Sequence, residues 1–172
     1  FMVQTINPTP IDETDGLPMP RRIWAVVSVG FALCMSVLDI NIVNVVLPTL
    51  SHDFGTSPSV TTWIINGYQL AIVVSLLSFS SLGEIIGYRK VFLSGIGLFC
   101  ITSLICALSD SFWTLTIARI FQGFSASAIT SVNTAQLRYI YPKNKIGQGM
   151  GINAMVVAIS AAAGPSVASG IL

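Results

Sequence analysis

The sequence predicts an all-α polytopic membrane protein, and three observations predict it. Of 172 residues, 53% are hydrophobic and only 9% charged, with a mean hydropathy of +0.79. A soluble domain covers its surface with roughly 25% charged residues, so lipid has to be the solvent for much of this chain. Five apolar runs, at about 23–47, 61–82, 91–109, 112–136 and 148–172, approach or exceed the ~20 residues that span a ~30 Å hydrocarbon core. Backbone groups in lipid must hydrogen-bond internally. No run shows the alternation of a membrane β-strand, so each is predicted as a helix.

Residues 1–20 carry Pro8, Pro10, Pro18 and Pro20 with three acids, a composition expected of a disordered tail. Residues 21–172 are the predicted membrane bundle. The first apolar run, about 25 residues long, exceeds a signal-peptide core, and no A-x-A-like cleavage site follows it. The chain opens on Phe1 rather than Met and closes inside an apolar run at Leu172. It therefore reads as the front piece of something longer.

The connections are expected at 48–60, 83–90, 110–111 and 137–147. Arg21 and Arg22 precede the first helix, Arg89 and Lys90 follow the second, and Arg138, Lys143 and Lys145 follow the fourth. The other two connections, with His52, Asp53 and Asp110, hold no Lys or Arg. By the positive-inside rule the N-terminus is expected in the cytoplasm, with the protein multi-pass in the plasma (inner) membrane. Trp63 and Trp113 start the second and fourth helices on the outer side, where an interfacial aromatic belt belongs. No basic patch lies outside the loops, and no nucleic-acid partner is expected. Cys34, Cys100 and Cys106 lie in apolar runs at spacings that match no metal or redox motif. They are expected to be packing residues, and no metal is expected.

The eighth basic residue, Arg119, and one acid, Asp39, fall inside the apolar runs. A charge at the bilayer centre costs about 2.5–3.5 kcal/mol even on insertion scales, so such residues turn to a partner or an aqueous path. Asp39 lies about 12 Å below the outer end of a rising helix, eight residues before Leu47; Arg119 lies about 10 Å below it on a descending one, seven after Phe112. If the first and fourth helices are neighbours, the two charges meet. One reading is a static ion pair that fixes helix register. The other is a carboxylate that exchanges protons in a transport cavity, because burial favours its neutral form and a nearby guanidinium its charged form. On the second reading Asp39 takes and releases the coupling proton and Arg119 tunes that event.

Further polar residues suit a cavity. Arg119, Gln122, Gly123, Ala126, Thr130 and Asn133 share one face of the fourth helix, and Gly123, Ser127 and Ser131 offer small contacts for close helix approach. Asn41 and Asn44 flank Asp39 on the first helix, where interhelical bonding and substrate contact explain them equally well.

The residues around these charges resemble the major facilitator superfamily, most closely its fourteen-helix drug:proton antiporters. Leu38 to Pro48 (LDINIVNVVLP) is similar to the first-helix motif LDxTIVNVALP. Trp63 with Tyr68-Gln69-Leu70-Ala71 resembles the W-x4-Y-x-L-A opening of the second helix. Ser80 to Lys90 is similar to the gating loop GxLaDrxGrk through Gly83, Glu84, Gly87, Arg89 and Lys90. Ser80 replaces its first glycine, Glu84 its aspartate and Ile85 its arginine, which implies a weaker or rewired latch. Leu115-x3-Arg119-x2-Gln122-Gly123 resembles the fourth-helix motif whose arginine serves proton coupling. Gly151-x8-Ser160-x3-Gly164-Pro165 resembles the antiporter motif of the fifth helix, with Ser160, Ala168 and Ser169 where glycines are usual. Gly164-Pro165 is expected to form a bend or a tight helix contact.

The resemblance implies the first five helices of an N-terminal six-helix bundle built from two inverted three-helix repeats. It also implies alternating access against a second bundle formed by the remaining C-terminal helices. The function expected is a proton-coupled exporter of small amphipathic or cationic compounds, of the multidrug-efflux type. It needs no cofactor beyond the proton gradient, and Asn41, Asn44, Tyr68, Gln69 and Gln122 are candidates for the substrate path. Uptake or metabolite transport on the same fold is the alternative, with a non-transporting receptor or assembly protein behind it. An intramembrane serine enzyme at Ser125 would need a base, and the one histidine, His52, belongs to an outer loop.

Overall fold

A computed structural model describes residues 16–171, with side chains through Gly170. The tail expected over 1–20 lies outside the described residues as far as position 15, and Met19 and Pro20 already belong to a helix. The elements are α1 (Met19–Asp53), the single turn α2 (Pro58–Thr61), α3 (Trp63–Ile86), α4 (Tyr88–Ala107), α5 (Phe112–Ile140), a 3-10 turn over Lys143–Lys145, and α6 (Ile146–Ile171). The chain is thus an all-α, polytopic membrane protein. Large apolar side chains such as Phe31, Val73, Leu77, Ile101 and Met155 stand exposed, as lipid-facing residues do.

Four stretches among the described residues are long and apolar enough to cross a membrane: Met19–Asp53, Pro58–Ile86, Tyr88–Ala107 and Lys143–Gly170. The fifth apolar run expected from the sequence corresponds to α5, which has the length but not the apolarity. Its 29 residues give a rod of about 43 Å. The physical reason is its position. α5 packs along both α3 and α4, and fifteen of its residues are buried, including Arg119, Gln122, Ser125, Ser127 and Asn133. A helix enclosed by protein can carry polar side chains that lipid would reject.

Several expected boundaries move; α1 takes in Arg21 and Arg22, and α5 runs past 136 to Ile140 and takes in Arg138. α1 does not end at Pro48 but continues to Asp53. A proline in a helix costs one backbone bond and crowds the preceding turn, and here the turn following Pro48 stays helical. The connection expected over 48–60 is therefore helical at both ends. Gly83 and Glu84, expected in the loop 83–90, are the last turns of α3, and Arg89 and Lys90 open α4. The reversal is compressed into Gly87, whose φ of 100° is a conformation that a Cβ disfavours. Its N–H still reaches the Gly83 carbonyl at 3.0 Å and closes the last turn.

The helices form two packed groups. α5 sits against α3 and α4, and α1 packs chiefly on α6. α1 meets α5 over a narrower contact. At one end the Leu17 N–H donates to the Ile140 carbonyl at 3.3 Å, and Arg22 Nε donates to the Leu17 carbonyl at 3.0 Å. The core between the groups is apolar and includes Val29, Leu33, Tyr68, Phe92, Ile129 and Val132.

Candidate functional site

Farther along the α1–α5 contact the interface turns polar. Arg119 and Gln122 are three residues apart on α5 and so lie on one side of the helix, the side that meets Asp39 of α1. Arg119 Nη1 donates to Asp39 Oδ2 at 2.6 Å and to Gln122 Oε1 at 2.7 Å. Gln122 Nε2 donates to Asp39 Oδ1 at 3.2 Å. Both carboxylate oxygens are therefore engaged, and the amide links the two charges into a closed triangle. Such charge-assisted bonds are roughly twice as strong as neutral ones.

Exposure divides the pair unequally. The Arg119 side chain is 4% exposed and that of Asp39 21%, so the acid is the more exposed member. Tyr68 of α3 backs the arginine, its ring centroid 5.1 Å from the guanidinium carbon, a cation–π contact. Arg119 Nε and Tyr68 Oη are buried without a hydrogen-bond partner. Cys106 of α4 donates to Gln122 Oε1 at 3.6 Å. The site thus draws side chains from α1, α3, α4 and α5.

Glycines let the backbones come close enough. A Cβ on Gly123 would collide with the Tyr68 carbonyl and stand 2.9 Å from Ala71 Cβ, so α3 and α5 touch almost backbone to backbone beside the triangle. On α6 a Cβ at Gly164 would collide with Asn41 Cβ, two residues along α1 from Asp39. Ser160, Gly164 and Ala168 are buried at four-residue intervals, a small-residue face of the kind that brings membrane helices together. Of the two alternatives at Gly164-Pro165, the tight contact is present, and α6 runs through Pro165 to Ile171.

The remaining candidates scatter. Asn41 Nδ2 donates to the Val37 carbonyl of its own helix at 2.7 Å, while Asn44 and Gln69 are exposed. Thr130, expected on the buried stripe of α5, is exposed, with its hydroxyl bonded to the Ala126 carbonyl at 2.6 Å. Glu84, Arg89 and Lys90 are exposed, and among the described residues no ion pair joins Glu84 to either base. Gly83 instead packs against Tyr88 and Val132. Gly151 is exposed, with nothing near its Cβ position. Ser125 donates to the Gln122 carbonyl at 2.6 Å, whereas His52 is exposed beside Asp53. Sequence reasoning missed Cys106 as a partner of Gln122 and Tyr68 as the cover of Arg119. Sixteen positions separate Cys106 from Gln122, and no spacing rule links residues on different helices.

A sequence profile of the Major Facilitator Superfamily matches residues 29–172. The chain is 50% identical over 160 residues to the Uncharacterized transporter YebQ of Escherichia coli (strain K12), covering 93% of this chain and 35% of that protein. It is 31% identical over 153 residues to the Drug efflux pump JefA of Mycobacterium tuberculosis (strain CDC 1551 / Oshkosh), covering 89% and 30%. It is also 31% identical over 153 residues to the Riboflavin transporter RibZ of Clostridioides difficile (strain 630), covering 88% and 34%. The chain spans about a third of the length of these relatives. With the buried charge pair bridging α1 and α5, these matches establish that the chain belongs to the major facilitator superfamily.

Proposed function

We propose that the complete protein is a proton-coupled exporter of small amphipathic or cationic compounds, of the fourteen-helix drug:proton type. It sits in the inner membrane with its N-terminus in the cytoplasm. The observation that carries this reading is the Asp39–Arg119–Gln122 triangle, in which the acid alone is partly exposed.

Ionised Asp39 accepts hydrogen bonds on both oxygens. A proton on either oxygen removes the negative charge that both hydrogen bonds rest on and adds a donor to the site. The bonds lose their charge assistance, and Arg119, which keeps its proton, is left with a weaker partner. Because the triangle ties the α1–α6 group to the α3–α4–α5 group, protonation loosens a clasp between them. A cationic substrate and a proton then compete for one carboxylate, and that competition is the simplest form of antiport. The named efflux relative supports the drug-export side of this reading. The experiment is substrate efflux by the complete protein in vesicles under an imposed pH gradient: Asp39→Asn abolishes gradient-driven efflux, and retained efflux overturns the reading.

Metabolite transport on the same fold is the second reading, favoured by the similarity to a riboflavin transporter. The direction of flux in the same vesicles separates the two.

A further inference from the structure

At the end of the bundle that carries Arg21 and Arg89, α1, α4 and α5 leave a groove of about 880 Å³ between them. It exists because α1 packs chiefly on α6, while the Leu17–Ile140 backbone bond ties α1 to α5 at its base. Val29, Phe92 and Ile140 form a buried floor, and Trp24, Leu93 and Tyr139 stand exposed along the sides. Trp24 is 74% exposed. Arg21 and Arg89 line the same groove. Both are exposed, and neither has a hydrogen-bond or ion-pair partner among the described residues. Among the described residues that line the groove none is acidic.

We propose that this groove is a binding site for an anionic phospholipid. The headgroup phosphate lies between the guanidiniums of Arg21 and Arg89, and an acyl chain lies along Trp24, Leu93 and Phe92. Guanidinium groups match phosphate oxygens bidentately, and basic clusters at a membrane surface select anionic lipid. A tryptophan beside the headgroup level is the usual interfacial placement. The apolar walls select a lipid over a free phosphate ion, which would leave them uncovered. The proposal goes beyond the transport reading and requires of it only that the helices lie in a bilayer.

The test places the complete protein in phosphatidylcholine nanodiscs that contain a minor fraction of acyl-brominated phosphatidylglycerol or, separately, of acyl-brominated phosphatidylcholine. Trp24 quenching is taken as the difference between the protein and its Trp24→Phe variant. The expected result is stronger quenching by the anionic lipid at equal mole fraction. That preference should fall roughly fivefold for each of Arg21→Gln and Arg89→Gln, and the two Arg→Lys variants should keep most of it. Equal quenching by the two lipids overturns the proposal, as does a preference unchanged in the double Gln variant. A preference that appears only after removal of residues 1–15, which hold Asp12, Glu13 and Asp15, would give the groove to that acidic segment and also overturn it.

Discussion

Arg119 of α5 holds Asp39 of α1 at 2.6 Å across 80 residues of chain, while Gln122 binds both partners from the next turn of α5. The pair is therefore a three-body arrangement in which each member limits the geometry of the other two. It also lies where the α1–α6 group meets the α3–α4–α5 group. A change of charge there acts on the joint between two packed bodies, not on a single helix.

Asp39→Asn keeps the shape and removes the charge. Arg119, almost fully buried, then faces a neutral amide. Hydrogen bonds to charged groups contribute about 1.5–3 kcal/mol, so the variant loses stability on that order while still inserting. Unfolding in detergent measures the stability, and vesicle flux measures the coupling. Unchanged stability would mean that the 2.6 Å bond contributes nothing to the fold.

Gln122 tests whether the triangle acts as a unit. Gln122→Ala leaves the ion pair but removes the amide that touches both charges, and residues in one hydrogen-bond network couple by about 0.5–3 kcal/mol. A double-mutant cycle of Gln122→Ala with Asp39→Asn should give a coupling energy within that range. Strict additivity would reduce Gln122 to a spectator.

The two motif glycines of α6 have opposite surroundings. Gly164→Ala drives a methyl into Asn41 Cβ, and neither helix backbone can retreat without opening the α1–α6 contact. Overpacking of this kind costs about 1–3 kcal/mol. Gly151→Ala meets open space and should stay within about 0.5 kcal/mol of the parent. Equal effects on unfolding would contradict the packing described here.

Much of this was legible in the sequence because depth in a membrane follows from counting residues. Asp39 and Arg119 were placed at one level from their distance to the helix ends, and the polar face of α5 followed from its spacing. What counting misses is which helix lies beside which. The approach of Gly164 to Asn41, the ring of Tyr68 over Arg119 and the thiol of Cys106 on Gln122 all depend on neighbours that no periodicity specifies. The overrun of α1 past Pro48 was hidden because a proline reads as a stop, although it deletes only one donor. The polar face of α5 was legible, but not that α3 and α4 both pack along it and enclose it.

The orientation is open to direct measurement. With Cys34, Cys100 and Cys106 replaced, a cysteine at the exposed Ser57, between α1 and α2, and one at the exposed Asn144, between α5 and α6, report opposite ends of the bundle. The connections rich in Arg and Lys are the cytoplasmic ones under the positive-inside rule, and Asn144 lies between Lys143 and Lys145. In intact cells a membrane-impermeant maleimide should label Ser57→Cys fully and Asn144→Cys only after permeabilisation. The reverse pattern would invert the protein. It would also place the groove lined by Arg21 and Arg89 in the outer leaflet.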